Sequence, residues 1–212
     1  MTTRPRTYAR TAGILYLVTH ITSITAVAAY AADGFPLGVA LELVLAAGCL
    51  ATGILLWVLL RDVGQVRAAT FAGLRALEAS VIAAGTLPML VLLWTAPRAP
   101  LDETLVALHT AAFLVGQGLV ISVNTIILGW LLLDAHVVPR ALAVLGIVGG
   151  TLVLVSNSAQ LFGAIPQGGT IAGLCAAPVF AFEIWFAVHL IAVGLRPRVV
   201  SPAAPLGTAS QA

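Results

Sequence analysis

Residues 37–60 read LGVALELVLAAGCLATGILLWVLL. Crossing the hydrocarbon core of a bilayer takes about 20 apolar residues in a helix. This stretch meets that length, and Glu42 is its one charged side chain. It is bounded by Asp33-Gly34-Phe35-Pro36 before and Arg61-Asp62-Val63-Gly64 after, clusters of the turn-forming and charged residues that end apolar helices. Working outward, five more segments of the same kind appear. They run from about Thr11 to Ala32, Ala68 to Ala96, Thr104 to Leu133, Pro139 to Ile165 and Ile171 to Leu195. The remaining breaks are Pro97-Arg98-Ala99-Pro100, Asp134-Ala135-His136 and Pro166-Gln167-Gly168-Gly169. All are short, so consecutive helices should lie antiparallel as neighbours.

The composition points the same way. Of 212 residues, 60% are hydrophobic and 8% charged, whereas a soluble domain is about a quarter charged. Disorder needs low hydrophobicity and is excluded. The expected fold class is all-α: a polytopic membrane protein of six transmembrane helices, with the lipid bilayer as its first partner. Residues 1–10 are expected to be a cytoplasmic basic N-terminus, 11–198 the six-helix domain, and 199–212 a disordered cytoplasmic tail. A basic start followed by an apolar run and Ala29-Tyr30-Ala31 also resembles a secretory signal, but the run exceeds the 7–15 residues usual there. We expect an uncleaved first helix.

Arginines flanking apolar segments mark the cytoplasmic side. Arg4, Arg6, Arg10, Arg61, Arg67, Arg140, Arg196 and Arg198 all fall at one end of the six segments. Arg98 falls at the other, beside Asp33, Asp102 and Glu103. Both termini are therefore expected inside, in the cell's inner (cytoplasmic) membrane. A net charge of +2, with no arginine-rich run outside the first ten residues, is too small to imply a nucleic-acid partner. Cys49 and Cys175 lie in apolar stretches and read as packing residues rather than a disulfide framework.

Four stretches carry a family resemblance. They are Arg10-Thr11-Ala12-Gly13-Ile14-Leu15-Tyr16-Leu17, Leu74-Arg75-Ala76-Leu77-Glu78-Ala79, Val138-Pro139-Arg140-Ala141-Leu142-Ala143-Val144-Leu145-Gly146, and Phe182-Glu183-Ile184-Trp185-Phe186 running on to Leu190 and Gly194. Their order and spacing resemble the bacterial domain-of-unknown-function family numbered 4386, small multi-helix membrane proteins. The resemblance implies a membrane protein and supplies no activity. Matching positions able to carry chemistry are Arg10, Tyr16, Arg75, Glu78, Pro139, Arg140 and Glu183.

Polar groups inside the bilayer are costly, roughly 2.5–3.5 kcal/mol for a charge at mid-depth on insertion scales, and they tend to mark function. Counting about 1.5 Å per residue from the cytoplasmic helix ends puts His20 at ~15 Å, Glu78 at ~16 Å, Arg75 at ~12 Å, Asn124 at ~15 Å and Glu183 at ~20 Å. These residues from four helices share a layer near the midplane. Glu42, Gln117, Asn157 and Gln160 form an outer layer at ~26–30 Å, while His109 falls far outside at ~38 Å. Arg75 and Glu78 are three apart, within pairing reach. They read either as a pair holding Glu78 ready for a cation or proton, or as a structural pair whose arginine reaches the headgroups. Glu183 follows Pro178 by five residues, and a helix proline frees a backbone carbonyl. Glu183 reads either as a transport-site acid or as a hydrogen-bonded packing residue.

No paired-histidine, Cys-x-x-Cys or His-Glu-x-x-His spacing occurs, so no metal or cofactor is expected. A nucleophile elbow is also missing. The leading expectation is small-solute or proton-coupled transport or binding, with a small molecule or ion held by Glu183, Glu78, Arg75, His20, Asn124 and Gln117. The alternatives are a membrane-embedded enzyme acting on a lipid-type substrate and a non-catalytic partner or stability subunit.

Overall fold

The computed structural model describes residues 3–95 and 99–195. The expected loop at 97–100, with Arg98, falls partly outside them, as do Arg196, Arg198 and the expected tail. The described residues form helices without strands: α1 (Thr3–Ala31), α2 (Phe35–Leu60), α3 (Gln65–Trp94), α4 (Ala99–Phe113), α5 (Ile121–Ala135), α6 (Arg140–Leu161) and α7 (Thr170–Ala192). Leu114–Val120 is wound as a π-helix that joins α4 to α5, so Leu101–Ala135 makes one span. Six helices are thus long and apolar enough to cross a membrane.

The breaks have the chemistry the sequence suggests. Asp33 takes the left-handed conformation (φ 56°) and Pro36 sits in the first turn of α2, where its missing N–H costs nothing. His136 ends α5 in the same left-handed region (φ 55°). Gly168 turns the chain into α7 with φ 65°, a conformation open to glycine because it has no Cβ.

The spans form a closed ring in chain order, each packed on the next, with α7 returning to α1. Lipid tails are as apolar as leucine, so close packing rather than water exclusion holds such helices together, and small residues let backbones approach. A Cβ at Gly13 would lie 2.6 Å from the Ala187 carbonyl oxygen, across α1 and α7. One at Gly129 would lie 2.9 Å from that of Ala143, across α5 and α6. Large apolar side chains such as Ile14, Ile21, Leu50 and Val155 are exposed on the outside, where the bilayer meets them.

The two ends of the ring differ. The end carrying the termini is a dry plug that includes Tyr16, Phe71, Leu131, Phe182, Phe186 and Leu190. Phe186 stacks on Phe182 and meets Tyr16 edge-on, each at 5.7 Å between centroids. The other end is looser, because α4 packs chiefly on α3. The cavities that hold the buried polar groups lie on that side of the plug.

Candidate functional site

The inner cavity, of about 220 Å³, is lined among others by His20, Arg75, Glu78, Gln117 and Glu183. Arg75 and Glu78 are both buried. One Arg75 terminal nitrogen (Nη1) donates to Glu78 Oε2 at 3.0 Å and Oε1 at 3.2 Å, and the other (Nη2) donates to Thr52 Oγ1 at 2.9 Å. The guanidinium also lies over the Tyr16 ring, 5.3 Å from its centre, a favourable place for a cation. Asn124 Nδ2 donates to Glu78 Oε2 at 2.7 Å, and the Cys49 thiol faces Oε1 at 3.7 Å. Glu78 is thus held from α2, α3 and α5. Arg75 does not snorkel toward headgroups; its side chain is 2% exposed, and its Nε finds no partner among the described residues.

His20 and Glu183 form a second pair, across α1 and α7. His20 Nδ1 lies 2.9 Å from the Tyr16 carbonyl oxygen. A carbonyl can only accept, so Nδ1 carries a proton. His20 Nε2 lies 3.2 Å from Glu183 Oε2. A second proton on the ring would make this contact an ion pair, and a proton on the carboxyl would leave both groups neutral. Glu183 Oε1 has no hydrogen-bond partner among the described residues.

Above this cavity lies the outer layer. Ser23 donates to Gln117 Oε1 at 2.9 Å, tying α1 to the π-helix. Gln117, Val153 and Ala176 line both the inner cavity and an outer one of about 420 Å³, whose polar lining includes Asn157, Gln160 and Gln167. These three residues are common to the walls of the two. A third, small recess holds Glu42 and His109 and again includes Gln117. There Tyr30 donates to Glu42 Oε2 at 2.9 Å, His109 Nε2 is 3.5 Å from Glu42 Oε1, and His109 Nδ1 donates to Gly85 O at 2.9 Å.

The structure puts Glu183, Glu78, Arg75, His20 and Gln117 around one cavity, with Asn124 behind Glu78. His109 is corrected: it lies at the level of Glu42 in the outer layer rather than far beyond it in depth. Depth counting assumed an upright α-helix for the fourth span. The span is 35 residues long and contains the π-helix, where the Ile121 N–H reaches the Gly116 carbonyl five residues back. No periodicity announces that winding; the Gly116-Gln117-Gly118 run is its one local signal. Trp185, two residues on from the buried Glu183, is exposed on the outside. Cys49 does more than fill space, since it faces Glu78. Ser23 and Phe180 were not singled out by sequence. Neither is charged, and only the fold brings them to the cavity.

Ile24 and Phe180 line the inner cavity yet are 59% and 47% exposed. The cavity therefore meets the bilayer-facing surface between α1 and α7.

Comparison with protein families gives a match to the model described as Domain of unknown function (DUF4386), over residues 11–194. No curated protein and no solved structure matches the chain.

Proposed function

The chain belongs to the DUF4386 family, a description that carries no activity, and we propose its role from the geometry of its cavities. The protein is a multi-pass integral membrane protein. In our reading it binds a small solute or a proton at mid-membrane, takes it up from the side away from the termini, and carries it across the membrane. Glu183 is the principal acid, paired with His20. Arg75, Glu78 and Asn124 fix the floor of the site, and Gln117 lines its entrance. Both termini lie in the cytoplasm of a cell whose inner membrane holds the protein, with residues 1–10 and 199–212 flanking the six-helix domain.

The observation that carries this reading is the pair of cavities sharing Gln117, Val153 and Ala176. Packing alone would not leave a buried ion pair and a half-used carboxylate facing open volume, since an empty space beside polar groups forfeits contacts on every side. The test uses proteoliposomes loaded with a pH-sensitive dye and given an imposed pH gradient, alone and with a panel of small cationic, anionic and neutral solutes. We expect flux with the wild type and its loss with Glu183→Gln at equal incorporation. Wild-type flux in Glu183→Gln would overturn the proposal. A change confined to stability in Glu78→Gln and Glu183→Gln would instead indicate a non-catalytic partner or stability subunit.

One observation favours a second reading, a membrane-embedded enzyme acting on a lipid-type substrate. The cavity's opening between α1 and α7 gives such a substrate lateral access, and a histidine with a carboxylate suffices for acid–base chemistry. Mass spectrometry of lipids incubated with the protein would reveal a converted product; unchanged lipids count against it.

A further inference from the structure

We infer that the inner cavity takes a small lipophilic organic cation, an amine or quaternary ammonium, in exchange for one proton. This rests on the binding reading above and names the class of solute. Arg75 and Glu78 cancel, and both Glu78 oxygens are engaged by Arg75, with Asn124 and Cys49 adding to them. Of the other elements lining the cavity, α2 brings Cys49 and Leu45, α5 Ile121 and α6 Val153, none of them charged. Tyr16 of α1 lies against Arg75. That leaves His20 and Glu183. With their shared proton the pair is neutral; without it a carboxylate faces a neutral imidazole, and the site carries one negative charge. One cation in and one proton out conserve charge, and no covalent bond changes.

The wall selects the kind of cation. Ile24, Leu45, Ile121, Val153, Val179 and Phe180 are apolar, and Phe180 lies edge-on to the His20 ring at 5.1 Å. A hard metal ion needs six or more oxygen ligands or retained waters. Here both Glu78 oxygens are taken, and Glu183 offers a single carboxylate whose Oε2 faces His20 and whose Oε1 has no hydrogen-bond partner among the described residues. An alkylated ammonium needs one carboxylate and a greasy or aromatic surround, which is what the cavity offers. An anion would meet Glu183 with Arg75 already neutralised. The opening between α1 and α7, at Ile24 and Phe180, admits a cation already partitioned into the bilayer. The proton has an exit past Gln117 into the outer cavity.

The test is calorimetric titration of the full chain in lipid nanodiscs with tetraethylammonium, in two buffers of different ionisation enthalpy. We expect about one proton released per cation, and an affinity that rises about tenfold per pH unit while the pair holds its proton, because release of one proton on binding sets that slope. Glu183→Gln should abolish the proton release and weaken binding at least about tenfold, while Glu183→Asp, which keeps a carboxylate, should retain the release. Matching elution on size exclusion shows that the variants are folded. No binding of tetraethylammonium, binding without proton release, or equal binding by Glu183→Gln overturns the inference. Glu183-dependent binding of butanesulfonate or of a neutral solute in its place overturns it too, while leaving the binding reading intact. If no solute of any charge binds in a Glu183-dependent way, and proton flux is also insensitive to Glu183, both fall.

Discussion

Removing one partner from the Arg75–Glu78 pair should be far more damaging than removing both. Each side chain is 2% exposed, and the pair is joined by contacts of 3.0 and 3.2 Å. Breaking a buried pair from one side leaves an uncompensated charge, at a cost of about 3–5 kcal/mol. Replacing both by apolar residues of similar volume is often close to neutral. Glu78→Leu should therefore cost about 3–5 kcal/mol. Arg75→Met should cost less, because a carboxylate left alone can take up a proton, whereas a guanidinium cannot lose one. The double variant Arg75→Met/Glu78→Leu should recover most of the loss. The coupling energy of this cycle should be about 2 kcal/mol or more, well above the roughly 0.6 kcal/mol of an average interhelical hydrogen bond in a membrane. Reversible unfolding in bicelles, read by intrinsic tryptophan fluorescence, measures all four proteins. A coupling below about 1 kcal/mol, the range of exposed pairs, would mean that Arg75 reaches headgroups or water, and the floor of the cavity would have to be redrawn.

Other outcomes follow from the packing. A Cβ at Gly53 would lie 2.7 Å from Arg75 Cβ, so Gly53→Ala should destabilise by about 1–3 kcal/mol through overpacking in the same unfolding assay. Gly73→Ala, with open space around the new methyl, should be neutral or gain up to about 1 kcal/mol. At the end carrying the termini, beyond the plug, Arg67 pairs with Asp134 at 2.5 Å while their side chains are 31% and 47% exposed. Arg67→Ala should therefore cost no more than about 1 kcal/mol, and that small cost should shrink further in high salt.

The six spans are legible because each is a long, predominantly apolar run closed by Gly, Pro or charge. The start of α2 at Phe35 and the break at His136 fall where the turn chemistry puts them. A constant rise per residue was enough to bring His20, Arg75, Glu78 and Glu183 to one depth, and these four line one cavity. Depth is not azimuth, however. Which face each helix turns inward decides that Glu183 meets His20 rather than Arg75, and that Asn124 backs Glu78. That rotation is set by small-residue contacts such as Gly13 on Ala187, invisible in one chain's hydropathy. The π-helix changes the register of the fourth span midway, and a count at constant rise per residue takes no account of that winding or of helix tilt, so it puts His109 too high.

Solvent access to Gln117 tests the central claim most directly. The design is Gln117→Cys in a Cys49→Ala/Cys175→Ala background, reconstituted in vesicles and exposed to a small membrane-impermeant methanethiosulfonate from one side at a time. Modification is expected from the side bearing the 32–34 and 162–169 turns, with Gln167→Cys as the positive control on that side, and not from the side bearing the α2–α3 turn. Modification from the α2–α3 side alone, or none at position 117 while position 167 reacts, would contradict a polar cavity at mid-membrane open to the face away from the termini.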